Sequence, residues 1–290
     1  MKPALTLEKQ MELLASRGLT WSDPSQVRQF LHDHSYYRFS GYLRYFQRNP
    51  GRGDNLFRPG SSFEAVRRIY VFDDELRRWL FDGLCILEVT FRARFAYALA
   101  LGLATPEAYL NASTYSSGKS DNEPLELLER IKRDLDQSRE PYIVKFNRSG
   151  ESVPVWAALE VCSFGTVSKM FELISDPDLV KPVAKSLGLP FTIAAGTLQS
   201  LSVLRNICAH HGRIWNRVAT VAMPVKANLK TEPDRVYHRT PWAWVVALGD
   251  LVDRIQRDGG SSDLSFSVGL HEFLNEYQDL HDGLKDPRTT

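Results

Sequence analysis

Cysteine is scarce in this 290-residue chain: Cys85, Cys162 and Cys208 stand far apart, with no C-x-x-C pair. That spacing excludes a disulfide scaffold and a structural zinc site, so the expected setting is a reducing one, the cytoplasm. Long apolar runs are missing too. Residues 242–248 form one of the longest, against the roughly 20 a membrane span needs. The opening Met1-Lys2-Pro3-Ala4-Leu5 shows no signal-peptide stretch. Charge of one sign is also lacking: 36 Lys+Arg against 35 Asp+Glu leave +1. This excludes a uniformly basic nucleic-acid coat, though not a local basic face. No alternating strand pattern, internal repeat or low-complexity tract is found. A 43% hydrophobic composition with 24% charged residues excludes wholesale disorder.

What is present is helical periodicity, divided by proline and glycine. The clearest segment, 63–103, repeats apolar residues at three- and four-residue steps from Phe63 through Ile69, Leu76, Leu84, Phe91 and Leu99. One long helix with a continuous buried stripe is predicted, and Gly83 offers a place to kink. Shorter helices are predicted over 6–16, 25–32, 36–47, 124–137, 155–164, 242–256 and 264–280. The expected fold is all-α, a multi-helix bundle around the long helix. Its expected divisions are an N-terminal basic and aromatic segment (1–60), a helical core (61–220) and a helical extension (221–290), or one continuous domain.

Charge is uneven. Residues 28–68 hold eight arginines against three acids, interleaved with nine aromatics, a local +5. Residues 205–240 hold seven Lys/Arg against two acids, again +5. Arginine beside aromatics suits unstacked bases, which makes Arg38, Tyr36 and Tyr37 candidate RNA contacts. The competing reading makes the aromatics core and the arginines their solvated flanks. Trp156, Phe164 and Trp215 are read as core.

The densest chemistry is Leu204-Arg205-Asn206-Ile207-Cys208-Ala209-His210-His211-Gly212-Arg213-Ile214-Trp215-Asn216-Arg217. Arg205 and His210 form R-x4-H, a spacing that chance alone supplies roughly 0.6 times in this composition. On a helix Asn206 would orient His210 at i,i+4, and Arg213 would follow on nearly the same stripe. Arg205 would lie about 140° around from His210, which favours a site completed by a second copy. Histidine moves protons near neutrality and arginine matches phosphate with paired hydrogen bonds, the equipment for metal-free RNA cleavage. The alternative is a histidine closing the helix near Gly212, with the arginines paired to acids. A metal site is disfavoured, because adjacent His210 and His211 splay about 100° apart on a helix. No cofactor is expected. Glu88, Arg92 and Arg94 on the long helix are candidates for the same cleft, with Glu88/Arg92 as a plain helix pair the favoured reading.

Five stretches carry a family likeness: TLEKQMELLASRGL (6–19), YYRFSGYLRYF (36–46), the long block 63–100, VPVWAALEVCSFGTVSKMF (153–171) and LRNICAHHGRIWNR (204–217). Together they resemble the Abi-like family of bacterial abortive-infection proteins, the AbiD/AbiF group. The resemblance implies an all-α HEPN-type domain with an R-x4-6-H ribonuclease motif. It implies Arg205 and His210 as catalytic, Asn206 as the polar residue that follows the arginine, and His211 as a second candidate. Arg213 and Arg217 join the RNA contacts. It also implies a homodimer, an antiphage toxin whose partners are substrate RNA, an RNA or protein inhibitor and a phage-encoded trigger. A non-catalytic RNA-binding or phage-sensing module is the alternative.

Overall fold

The computed structural model describes residues 4–118, 120–260 and 265–288. Three short helices open the chain: α1 (Leu7–Ser16), α2 (Pro24–His34) and α3 (Tyr36–Phe46). Thr6, Asp23 and Ser35 cap them through side-chain oxygens that accept from Lys9, Ser25 and Arg38 N–H. A small antiparallel hairpin follows, β1 (Gln47–Asn49) and β2 (Asp54–Phe57). The sequence reading expected no strand. Pro50 to Arg52 make a 3-10 turn and Gly53 closes it at φ 84°, a turn geometry too short to announce itself as alternation.

Ser62 caps α4 (Phe63–Gly102), 40 residues and about 60 Å long. It runs unbroken through Gly83. That glycine serves packing and not bending, since a Cβ there would sit 2.6 Å from the Phe266 ring. The predicted stripe is the core: Phe63, Ile69, Leu76, Leu84, Phe91 and Leu99 are all buried.

Around α4 lie α5 (Glu123–Gln137), α6 (Pro141–Ser149), α7 (Val155–Val161), α8 (Phe164–Leu173), α9 (Pro177–Ser186), α10 (Phe191–Ala209) and α11 (Pro241–Asp258). Helices α7, α9, α10 and α11 pack directly on α4. The predicted helix 155–164 is two helices. Cys162 turns extended and Ser163 caps α8, accepting from Thr166 N–H at 3.1 Å. Trp156 is not core but 48% exposed, because α7 buries Val155, Ala158 and Leu159 and position 156 falls off that stripe. Phe164 and Trp215 are core, each 1% exposed.

The predicted helix 264–280 is also divided, and its first residue lies outside the described residues. Helix α12 (Phe266–Asn275) ends where Tyr277 tucks against Phe72 and Phe273, and α13 (Asp282–Lys285) follows. Among the described residues no single helix is long and apolar enough to cross a membrane.

Candidate functional site

Helix α10 buries Leu198, Leu201, Leu204 and Cys208 and brings the arginine–histidine cluster to its C-terminal end. His210 closes the helix, His211 turns left-handed at φ 53°, and two hydrogen bonds lock the turn. Gly212 N–H donates to Ile207 O at 2.7 Å and His211 N–H to Cys208 O at 3.1 Å, the paired bonds of a Schellman ending. A side chain at this left-handed position costs about 1 kcal/mol or more, and such strain tends to gather at functional sites.

This ending corrects two expectations. Asn206 meets His210 through the backbone, His210 N–H to Asn206 O at 3.0 Å, and among the described residues its amide makes no bond to the imidazole. Arg213 is not on the helical stripe, since α10 stops at Ala209. It folds inward against Gly41, and its Nη1 donates to Trp215 O and Asn216 O, both at 3.1 Å. Burial pushes its pKa down from the ordinary arginine value. Arg217 donates from Nε to Arg213 O. Both arginines thus spend donors on shaping the loop.

Helix α4 clamps this end of α10 at two places, each with a buried acid and arginine at i,i+4. At the first, Asp73 is fully buried and accepts Trp215 N–H at 2.6 Å, Ile214 N–H at 3.1 Å and the Tyr42 hydroxyl at 2.6 Å. Arg77 donates to Asp73 and to Gly212 O, both at 3.3 Å. Together they hold the backbone on both sides of Arg213. Burial pushes the Tyr42 hydroxyl, against the Asp73 charge, well above the usual phenol range.

At the second clamp, Glu88 accepts Arg205 Nε at 3.0 Å through Oε2 and Arg92 Nε at 3.2 Å through Oε1. Arg92 also donates to Leu159 O in the last turn of α7 and to Cys162 O just past it, the latter at 2.7 Å. Glu88/Arg92 is therefore a helix pair, as favoured, and Glu88 also holds the motif arginine. Arg94 faces elsewhere, donating to Ser186 O at 2.6 Å.

With Nε fixed by Glu88, the Arg205 terminal nitrogens make no hydrogen bond among the described residues. Neither do the imidazoles of His210 and His211, which are both exposed, as is Asn206. His211 lines a cavity of about 270 Å³ together with Asp74, Arg77, Arg78, Phe81 and Cys208. The Cys208 thiol is pushed up to about 12 by burial, so it carries no nucleophile. A larger hollow, about 710 Å³ at the α5–α7 corner, has Asp134, Glu140 and Glu160 on its walls and suits no polyanion.

The other sequence candidates, on α3, make no hydrogen bond to this end of α10 among the described residues. Arg38 donates from Nε to the Tyr70 hydroxyl at 2.9 Å and lies over that ring. Tyr36 accepts from Arg17 at 3.2 Å, and Tyr37 is 89% exposed. Of the nine aromatics in 28–68, Phe30, Phe39, Tyr42, Phe57 and Phe63 are buried core.

Sequence reasoning missed Asp73 and Arg77. The available signal was their place inside the apolar stripe, between Ile69 and Leu80, where charge has to be partnered. It also missed a surface. From Gly83 to Gly102 no exposed residue of α4 is charged: Cys85, Val89, Ala93, Tyr97 and Leu101 recur at four-residue steps, Val89, Tyr97 and Leu101 each 68–70% exposed. This apolar ridge begins one turn from Phe81 of the His211 cavity and passes beside Glu88.

Fold and site together define an all-α protein with an arginine–histidine cluster at one helix end. The family model described as Abi-like protein matches residues 29–216, 188 of the 290 residues, and the chain belongs to that family. The role the family implies is abortive-infection defence. No curated protein and no solved structure matches the chain.

Proposed function

We propose that the chain is a metal-independent endoribonuclease of the HEPN type, a cytoplasmic antiphage toxin that works as a homodimer. The observation that carries this reading is the combination of unpartnered groups at the end of α10: the terminal nitrogens of Arg205 and the imidazoles of His210 and His211. A histidine takes the 2′-hydroxyl proton of the substrate as the 2′-oxygen attacks phosphorus. Arg205 steadies the extra negative charge on the phosphorane with its two free terminal nitrogens. A protonated histidine then gives its proton to the departing 5′-oxygen, leaving a 2′,3′-cyclic phosphate and a 5′-hydroxyl. His210 is the first candidate for base or acid, His211 the second, and Asn206 is a polar neighbour for the scissile phosphate.

One copy supplies one motif, so the second half of the cleft is assigned to a second copy. The uncharged ridge of α4 supports this assignment, because an apolar ridge of more than four helical turns beside the site suits burial against its own mate.

A second reading, RNA binding without cutting, is favoured by the Glu88 contact, which offsets the Arg205 charge. The test is cleavage of end-labelled single-stranded RNA in EDTA by wild type beside His210→Ala and His211→Ala. Cutting by the wild type with cyclic phosphate ends, and a loss of about 10² to 10⁴ in one variant, supports the nuclease. Intact RNA that stays bound in every lane supports the second reading, and equal cutting by all three removes both histidines from the assignment.

A further inference from the structure

We infer that the cavity between the end of α3, the β1–β2 hairpin and the C-terminal segment binds a phosphate of a single RNA strand. The cavity is about 480 Å³, and Arg44, Arg48, Arg58 and Arg288 line it, with no Asp or Glu among its described lining residues. Arg48, Arg58 and Arg288 come from three separate stretches of chain, and like charges gathered in one hollow repel unless an anion joins them. The fold nonetheless fixes two of them in place. Arg58 donates from Nε to Gln47 O at 3.2 Å and through Nη2 to Tyr45 O. The backbone N–H of Arg288 donates to Asn216 Oδ1 at 2.7 Å. Both guanidinium groups lie over the Tyr45 ring, 5.8 and 4.9 Å from its centre. None of Arg48, Arg58 and Arg288 forms an ion pair among the described residues.

A second observation concerns Gln47. It lines the same cavity, is only 6% exposed, and its Oε1 has no hydrogen-bond partner among the described residues. Buried acceptors of this kind are uncommon and call for a donor. Phosphate oxygens satisfy the arginines, and a neighbouring ribose hydroxyl, met by a small turn of the amide, satisfies Gln47. Phosphate and hydroxyl together describe a ribonucleotide. A strand suits the cavity better than a lone nucleotide because the cationic charge exceeds what one phosphodiester carries. Tyr45 packs edge-on against Trp215, 4.6 Å between centroids, so the cavity adjoins the loop that follows His211. The choice of RNA over other polyanions rests on the proposed function; binding at the arginines does not.

The test is fluorescence anisotropy with a labelled single-stranded oligouridylate and full-length protein carrying both His210→Ala and His211→Ala, the probe being checked for intactness after each titration. Adding Arg48→Ala with Arg288→Ala should weaken binding at least about tenfold and reduce the salt slope by about 1.4. Arg48→Lys with Arg288→Lys should keep most of both, which separates lost charge from lost fold. Unchanged affinity and slope in the alanine variant would overturn the site. Displacement by uridine 5′-monophosphate at strand-like concentrations would overturn the strand in favour of a free nucleotide. Equal binding of the deoxy strand would overturn the RNA assignment. None of these readings depends on whether the wild type cuts.

Discussion

Arg205 and Glu88, on different helices and 117 positions apart in the chain, meet at 3.0 Å, and the same carboxylate also binds Arg92. The two arginines are not equivalent. Arg92 is buried, whereas Arg205 is partly exposed. Removing Glu88 strands a buried guanidinium, and Glu88→Ala should cost about 3 to 5 kcal/mol. Arg205→Ala loses only a solvent-screened pair and should cost under about 1 kcal/mol. Urea unfolding of the two variants separates them, and similar losses in both would contradict this division. Under the proposed function Arg205→Ala should abolish cleavage while remaining folded.

His211 occupies a backbone conformation that glycine adopts freely. His211→Gly should therefore raise stability by about 1 kcal/mol, seen as a higher melting temperature. A fall in activity with that rise would mark the imidazole as the reason for the strain. A lower melting temperature would mean that the ring's contacts in the cavity outweigh the backbone cost.

His281 gives the expected pH dependence. Burial depresses its pKa below the ordinary 6.5, while its Nε2 lies 3.0 Å from Leu274 O and its ring packs near Trp242. The fold thus favours the neutral ring, and the unfolded chain binds the proton more readily. This contribution is complete above pH 6.5 and is lost as pH falls through the depressed folded value. Melting temperatures from pH 7.5 down to 5 should decline more steeply for wild type than for His281→Gln. Parallel curves would remove this histidine as the cause.

The α4 ridge predicts association. Wild type should sediment at twice the 33.0 kDa chain mass, and Val89→Glu with Tyr97→Glu should sediment at the chain mass. Both positions are exposed, so folding should change little, by about 0.5 kcal/mol each. A wild type that remains a monomer at high concentration would refute the assignment of a second copy to this face.

Much of the architecture was readable in the order of residues. The stripe from Phe63 to Leu99 announced α4 because burial along one helix repeats at fixed steps. The end of the motif helix was readable as the alternative, a histidine closing the helix near Gly212 with an arginine paired to an acid, and His210 and the Arg205–Glu88 pair fit it. What the order of residues did not show is that His211 takes a glycine's conformation there. At the break after α7, Arg92 reaches over from α4 and donates to the freed Cys162 carbonyl, a contact across 70 positions that no local pattern announces. The arginine cavity was hidden in a similar way. Arg44, Arg48 and Arg58 were visible as a basic stretch, but Arg288 joins them only through the fold, and the residues singled out there, Arg38, Tyr36 and Tyr37, lie outside its lining.

Gly283 lies 68 positions after Trp215, yet it is where the chain closes over that indole: a Cβ there would stand 2.1 Å from the ring, and Trp215 Nε1–H donates to Leu280 O at 2.9 Å. During synthesis, then, α10 and its histidines leave the ribosome well before the segment that seats Trp215 exists. In that interval the backbone at 214 and 215 has Asp73 to hold it but no cover over the indole. The arginine–histidine surface reaches its final shape only as residues 280–288 arrive, so a growing chain carries the parts of the cluster before it carries the working arrangement.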